Sequence, residues 1–189
     1  MIGVLVSGEG TNLQALLDAD LPVVAVASNN TKAKALDRAA KAGIEAGAFP
    51  TAEFDSRERR DEEQAEWLAE RGVELVVLAG YMQLLTMPFL ERFPGRILNV
   101  HPSLLPAFPG AHAVEDALAH GIKVTGATVH FVDEGIDTGP IVLQEAVEIR
   151  EGDTPETLHA RIQTVEHRLL PAAVRLFLDG KLSSPVEAA

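Results

Sequence analysis

The first two thirds of the chain alternate short, continuous apolar runs with stretches of helical periodicity. The apolar runs predict buried strands at Ile2–Val6 and at residues 22–27, 73–79 and 96–100. The periodic stretches predict helices at residues 12–19, 32–42, 54–71 and 111–120. Because strands that are apolar throughout are buried on both faces, we expect a mostly parallel open sheet between two helical layers, the doubly wound α/β class.

The pattern changes after residue 123. Residues 124–132 and 140–149 have the composition of two strands with no helix between them, which predicts an antiparallel C-terminal addition to the sheet. Thr154 and Pro155 suit a helix cap and a first helical position, so a last helix is predicted to run to about residue 179, with a break or kink at Pro171. Residues 183–189 are expected to form a frayed tail, and 1–189 to form a single domain.

Composition is ordinary for a globular protein, with 47% apolar and 23% charged residues among 189. No apolar run reaches the roughly 18 residues of a membrane span, so no membrane association is expected. The chain has no cysteine, which excludes disulfides and thiolate catalysis, and its first residues lack the basic region of a signal peptide. Both features favour a cytoplasmic protein.

The charge balance argues against nucleic-acid binding. Sixteen Lys and Arg stand against 28 Asp and Glu, for a net charge of -12, and no basic patch of the kind that nucleic acids require is visible. One basic run, residues 57–60, is followed at once by Asp61, Glu62 and Glu63. We interpret this mixed run as a solvated helix face.

A glycine-containing loop, residues 7–12, joins the first predicted strand to the first helix. Its backbone amides and the positive end of the helix could hold a phosphate. A dinucleotide is disfavoured because Leu13 stands where a third glycine would be needed, and because the second strand ends in Asn29 and Asn30 without an acid for the ribose. The loop therefore favours a small monophosphate, with a tight turn that binds nothing as the open alternative.

Asn99 and His101 lie two residues apart at the end of a predicted strand. On an extended chain the two side chains project to the same side, and Pro102 keeps His101 extended. The carboxyl edge of an open α/β sheet is where ligands bind, so an amide donor and a general acid/base would face one cleft. A structural histidine without a catalytic role remains the alternative.

An acid that could hold His101 protonated and oriented lies in the glycine-rich turn of residues 133–139. The sequence leaves Asp133, Glu134 and Asp137 as candidates, and turn chemistry alone would also explain these residue types. The six histidines show no spacing typical of a metal site, and no Gly-x-Ser-x-Gly elbow occurs. We therefore expect neither a bound metal nor serine hydrolase chemistry.

Four segments, taken in order, carry a specific resemblance: residues 7–15, 78–85, 99–106 and 126–140. Together they resemble the phosphoribosylglycinamide formyltransferase family over nearly the whole chain. The resemblance implies a formyltransferase-like, Rossmann-related fold and transfer of a formyl group from 10-formyltetrahydrofolate, a cosubstrate, to the glycinamide amine of 5′-phosphoribosylglycinamide in purine synthesis. It implies a monomer or a homodimer with these two small-molecule partners.

The resemblance also assigns roles by position. The catalytic residues would be Asn99, His101 and Asp137. The ribonucleotide would be bound by Gly10, Thr11, Asn12, Gln163 and Glu166. The folate would be bound by Arg57, Met82, Gln83, Leu84, Leu85 and Asn99. The bond between Leu105 and Pro106 is expected to be cis.

Two positions depart from the family pattern. Glu9 lies inside the phosphate loop and would repel a phosphate, so its side chain is expected to face solvent. Gln83 stands where relatives are often basic, which removes the expectation of a charge pair with folate there.

Three rival functions share part of this pattern. Formyltetrahydrofolate hydrolases resemble this family but usually carry an additional N-terminal domain, and initiator-tRNA formyltransferases carry a C-terminal RNA-binding domain. We expect neither domain here. A nucleotide-sensing module on the same fold is the non-enzymatic alternative, because a fold does not determine a function.

Overall fold

The computed structural model describes residues 1–182, and the predicted tail at 183–189 lies outside this range. Within it the chain forms seven strands, which are β1 (Ile2–Val6), β2 (Val23–Ser28), β3 (Glu45–Ala48), β4 (Leu75–Leu78), β5 (Ile97–His101), β6 (Val124–Phe131) and β7 (Ile141–Glu148). It also forms six α-helices, which are α1 (Thr11–Asp18), α2 (Lys34–Lys41), α3 (Arg57–Glu70), α4 (Met87–Arg92), α5 (Ala113–Ala119) and α6 (Pro155–Leu178).

All seven strands form one sheet in the order β3-β2-β1-β4-β5-β6-β7. The first five strands are parallel, and β6 and β7 are antiparallel to their neighbours. This confirms the predicted doubly wound sheet with an antiparallel C-terminal addition. The strand order reverses between β1 and β4, so a crevice opens at the carboxyl ends of these strands.

Alternate residues of β1 pack on opposite faces of the sheet, as the two-residue period of a strand requires. Val4 joins a core with helices α1, α2 and α6, whereas Leu5 joins a core with α3 and α4. Both side chains are fully buried. Burial on both faces explains why this strand is apolar throughout.

The structure contains two short elements that the sequence pattern did not predict. β3 has the sequence Glu-Ala-Gly-Ala and lies largely exposed at the edge of the sheet. It therefore lacks the apolar run from which a buried strand can be predicted. α4 has only six residues and includes a proline in its first turn. Both elements depend on tertiary contacts more than on local pattern.

The predicted break at Pro171 is wrong, because α6 runs from Pro155 to Leu178 without interruption. A proline inside a helix removes one backbone hydrogen bond. Here Pro171 is buried beside Leu170 and Ala173, both fully buried, and this packing holds the helix together across the lost bond. The predicted start of α6 is confirmed, with Thr154 accepting a hydrogen bond from the Thr157 backbone.

The interpretation of the basic run in α3 as a solvated face is wrong for two of its residues. Arg59 is exposed and pairs with Glu62, as expected of a surface helix. Arg60 and Asp61, however, are both 0% exposed and pair with each other inside the protein. Their side chains point toward the segment between β4 and α4, and sequence alone did not reveal that this helix face is covered there.

Candidate active site

The loop after β1 forms one wall of a cavity of about 330 Å³ at the switch point of the sheet. Gly10 caps α1 with φ of 72°, a left-handed conformation, so the following amides point out of the helix toward the cavity. Thr11 and Asn12 supply the next backbone donors along the same wall. Glu9 turns away to pair with Lys34 on the surface, which confirms the expectation that it faces solvent.

Gly10 is the position where this loop tolerates a side chain least. A Cβ there would lie 2.6 Å from the Ala35 Cβ, and its positive φ already disfavours other residues. We expect Gly10→Ala to lower the free energy of unfolding by about 1–3 kcal/mol, measured by urea denaturation. Gly8→Ala is the matched control, because a Cβ at Gly8 meets nothing within 4 Å. Equal stability of the two variants would contradict the strain assigned to Gly10.

The opposite wall of this first cavity comes from α6. Gln163 and Glu166 line it, and Glu166 accepts a hydrogen bond of 2.9 Å from Asn12 Nδ2 across the cavity floor. Within the described chain, Asn12 Oδ1 is buried without a hydrogen-bond partner. The structure therefore brings together all five residues predicted to bind the ribonucleotide and leaves a polar atom among them to be satisfied.

Burial raises the pKa of Glu166, although the Asn12 hydrogen bond and the nearby His159 act in the opposite direction. Because the pKa is raised in the folded state, Glu166 contributes stability below its unfolded pKa and loses it as pH rises through the folded value. Glutamine resembles the protonated form of glutamate. We therefore expect Glu166→Gln to raise the free energy of unfolding by about 1 kcal/mol at pH 7. The gain should vanish below about pH 4, where the carboxyl group is protonated in both states.

Denaturation across this pH range tests the prediction, with exposed Glu115→Gln as the control. A gain that is the same at every pH would contradict the link to burial of the charge at Glu166.

A second cavity, of about 270 Å³, lies on the other side of β5. Residues predicted to bind folate line it: Arg57, Gln83, Leu84, Leu85 and Asn99. Arg57 donates a hydrogen bond of 2.9 Å to the Leu84 carbonyl oxygen. Met82, also predicted to bind folate, instead borders the first cavity and is 70% exposed. The segment from 82 to 85 thus separates the two cavities.

Asn99 and His101 lie at the carboxyl end of β5, and both side chains contact the same carboxylate. Asn99 Nδ2 is 3.3 Å from Asp137 Oδ1, and His101 Nδ1 is 3.3 Å from Asp137 Oδ2. The other imidazole nitrogen, Nε2, donates to the Phe108 carbonyl oxygen at 2.8 Å, which places Nδ1 toward Asp137. His101 is 5% exposed, so it is oriented by the protein and not by water.

The structure separates the three acids that the sequence left open. Asp133 accepts hydrogen bonds from its own loop, from the Gly135 backbone and Thr138 Oγ1, and Glu134 is exposed. Asp137 alone of the three contacts His101. Its φ of 55° is unusual for an aspartate, and the Gly110 N–H holds its carboxylate at 2.8 Å.

The pKa of Asp137 lies below its usual value. Partial burial raises it, but the adjacent His130, the hydrogen bond from the Gly110 N–H and the nearby His101 outweigh that effect. Asp137 is therefore an anion at neutral pH.

Sequence reasoning missed His130, which is 2% exposed and faces Asn99 directly across the β5–β6 pairing. Its Nδ1 donates to the Phe131 carbonyl oxygen at 2.7 Å, and its Nε2 lies 3.1 Å from Asn99 Nδ2. This contact holds the Asn99 amide with its second N–H toward Asp137. The sequence predicted that β6 is an antiparallel strand but did not predict its register. The register with β5 places His130 opposite Asn99.

The two cavities together can bind two small molecules and carry out acyl-type chemistry between them. The Asn99 amide and the His101 imidazole converge on one carboxylate, which occupies a place suited to a negatively charged oxygen. Among the described side chains, no group of three or more His, Asp or Glu is arranged to hold a metal ion. No helix within residues 1–182 is long and apolar enough to cross a membrane. The Leu105–Pro106 bond is cis, as predicted.

Comparison with known proteins places this site in context. Residues 1–174 match the family model described as formyl transferase. Phosphoribosylglycinamide formyltransferase of Mycobacterium tuberculosis is 50% identical over 90% of this chain and 81% of its own length. The Escherichia coli protein of the same name is 42% identical over 100% and 92%.

Longer relatives also match. Trifunctional purine biosynthetic protein adenosine-3 of Drosophila pseudoobscura is 46% identical over 96% of this chain, which spans only 14% of that protein. In the Gallus gallus protein of the same name the chain spans 18%.

Solved structures agree closely with this fold. Glycinamide ribonucleotide transformylase 1 from Symbiobacterium toebii superimposes with a TM-score of 0.94 at 53% identity, over 96% of this chain and 89% of its own. Phosphoribosylglycinamide formyltransferase from Streptococcus pneumoniae gives 0.90 at 40% identity, over 94% and 98%.

Proposed function

The chain belongs to the formyl transferase family, and we propose that it transfers the formyl group of 10-formyltetrahydrofolate to the glycinamide amine of 5′-phosphoribosylglycinamide in purine biosynthesis. The observation that carries this proposal is the pair of cavities on either side of β5, with Asn99 and Asp137 lining the second. We propose that residues 1–189 act as one formyltransferase domain in the cytoplasm, as a monomer or a homodimer.

The first cavity fits the ribonucleotide. Its phosphate would lie against the backbone amides of Gly10, Thr11 and Asn12, where the helix end favours an anion. The ribose hydroxyls would meet Gln163 and Glu166 on the facing helix. The unsatisfied Asn12 Oδ1 would accept from the same ligand.

The second cavity fits the formyl donor. Leu85 and the half-exposed Leu84 offer apolar surface to a reduced pterin ring, and the backbone of the 82–85 segment offers polar groups to its edge. Arg57 lies at the mouth, exposed, where it would meet the acidic end of the folate.

Transfer forms a bond between the glycinamide nitrogen and the formyl carbon and breaks the bond from that carbon to N10 of the folate. As the amine attacks, the formyl oxygen gains negative charge. We place this oxygen between Asn99 Nδ2 and His101 Nδ1, whose present contacts to Asp137 are long enough, at 3.3 Å each, to be shared with it. The attacking amine loses one proton and N10 gains one, so the Asp137 carboxylate would take this proton from the amine and pass it to N10.

Hydrolysis of the same folate would use the same three side chains, with water in place of the amine. The adjoining phosphate cavity argues for the ribonucleotide, because hydrolysis has no use for a phosphate cradle facing Glu166. No observation favours the hydrolase.

An incubation with 10-formyltetrahydrofolate, with and without the ribonucleotide, tests the proposal. Tetrahydrofolate should form only when the ribonucleotide is present. Free formate in its absence would indicate the hydrolase, and no turnover in either mixture would indicate a binding module.

A further inference from the structure

One face of α3 carries polar side chains where a buried helix face is ordinarily apolar. Arg57, Arg60, Asp61 and Gln64 follow the spacing of a single helix face, and we call them the α3 polar stripe. Three of the four, Arg60, Asp61 and Gln64, are 0% exposed. Arg59, one position away from the stripe, is exposed.

Every member of the α3 polar stripe reaches the segment between β4 and α4. Arg57 donates to the Leu84 carbonyl oxygen at 2.9 Å, and Arg60 Nη1 lies 3.3 Å from Gln83 Oε1. Asp61 Oδ2 accepts from the Thr86 backbone N–H at 2.7 Å and from Thr86 Oγ1 at 2.8 Å. Gln64 accepts from the Tyr81 hydroxyl at 3.3 Å.

The centre of the stripe is a buried ion pair. Arg60 Nη2 and Nε lie 2.6 Å and 2.8 Å from Asp61 Oδ1. Removing two charges from water is costly, and a pair of apolar side chains in the same place often gives a fold at least as stable. The pair is therefore poorly explained by stability alone. Its remaining donors and acceptors are directed at the segment, with Arg60 Nη1 also bonded to Thr51 Oγ1 at 2.9 Å.

The start of the segment is anchored in the apolar core by the buried Ala79 and Tyr81, whereas its later residues are less buried. Residues 79–86, all within the described chain, belong to no helix or strand. On the other side, Ala79 N–H donates to the Leu5 carbonyl oxygen, Ser7 N–H donates to the Gly80 carbonyl oxygen, and Met82 N–H donates to Ser7 Oγ at 2.8 Å. Met82 and Leu84 are 70% and 53% exposed, so apolar burial does not hold their positions. The positions of residues 83–86 therefore depend in large part on the side chains of α3.

We infer that the α3 polar stripe, with the Arg60–Asp61 pair at its centre, is a positioning device that sets the shape of the folate-binding segment. Arg60 and Asp61 are positioning residues, because their contacts reach the folate only through residues 83 and 86. This inference rests on the proposed function, since it assigns the second cavity to the formyl donor. It predicts that disturbing the pair affects folate binding and leaves ribonucleotide binding unchanged.

The double variant Arg60→Met with Asp61→Asn tests this inference. It removes both charges together, so no lone charge stays buried, and the new amide can still accept from Thr86. The matched control is Arg59→Met with Glu62→Gln, which removes an exposed ion pair one position away in the same helix. We expect the first variant to raise the KM for the formyl donor about tenfold or more, and the KM for the ribonucleotide less than about twofold.

The control should leave both constants within about twofold of the parent. Arg60→Lys, which keeps the charge but loses the planar donor geometry, should give an intermediate donor KM. Equal rises in both KM values, or a lower melting temperature with both KM values unchanged, would overturn the inference. If the double variant does not fold, the two KM values are compared in Arg60→Lys and Thr86→Val instead, with the same expectation that the KM for the formyl donor rises more.

Calorimetry with tetrahydrofolate keeps this test separate from the proposed function. If the parent protein binds tetrahydrofolate but makes no product, the formyl transfer is wrong, while weaker binding by the double variant still supports the inference. Unchanged binding by a folded double variant would overturn the inference, whatever the activity.

Discussion

His101→Ala and Asn99→Ala are each expected to lower kcat about 10²–10³-fold, the usual cost of removing one donor to a developing oxyanion. The KM for the formyl donor should change less than about threefold, because the formyl oxygen of the bound substrate carries little charge and makes only weak hydrogen bonds to these donors. Both side chains converge on the Asp137 carboxylate, from 3.3 Å each, so each supplies one donor at the same place. Steady-state kinetics with both substrates varied checks the result.

His112→Ala is the control for these two variants, because His112 is exposed at the start of α5, away from the Asp137 carboxylate. It should keep parental kcat. Loss of kcat in the control, or near-normal kcat in either alanine variant, would show that these donors do not stabilise the reacting oxygen.

Asp137→Asn is expected to reduce kcat about 10²-fold or more, because the amide carries no charge beside His101 and cannot accept a proton. Asparagine tolerates the φ of 55° at this position, so the backbone should be preserved. Since the pKa of Asp137 is lowered in the folded protein, its carboxylate is present throughout the pH range of an assay near neutrality.

The stability consequence has a definite sign. A carboxyl group with a depressed folded pKa stabilises the fold above its unfolded pKa, and this contribution is lost as pH falls through the folded value. Asp137→Asn should thus cost stability at neutral pH and little in strong acid. Glu134→Gln, in the same loop but exposed, is the control and should keep parental kcat and stability. If Glu134→Gln is the damaging variant instead, the assignment among the three acids is wrong.

The parallel sheet was predictable because β1, β2 and β4 are apolar almost throughout, and such continuous runs indicate strands that are buried on both faces. The pairing of Asn99 with His101 was also predictable, since alternate residues of a strand share a side. Asp137 could not be chosen over Asp133 and Glu134 from the residues alone. The choice depends on where the Gly110 N–H and the two imidazoles lie, and these come from distant parts of the chain.

Two other features of the site were not predicted from the sequence, for related reasons. His130 meets Asn99 through a strand register that the apolar pattern does not specify. Arg60 and Asp61 are charged residues, which are ordinarily exposed to solvent, yet both are buried beneath a segment without regular structure. Their spacing with Arg57 and Gln64 was the available signal, because four polar residues on one helix face can mark a polar interface as well as a solvated surface.

The most direct test of formyl transfer at this site follows the formyl carbon itself. The protein is incubated with 10-formyltetrahydrofolate labelled with ¹³C in the formyl group, together with 5′-phosphoribosylglycinamide, and the products are followed by ¹³C NMR. The label should move to the glycinamide nitrogen in the parent and stay on the folate in Asn99→Ala over the same period. Label in free formate, or transfer by Asn99→Ala at the parental rate, would contradict it.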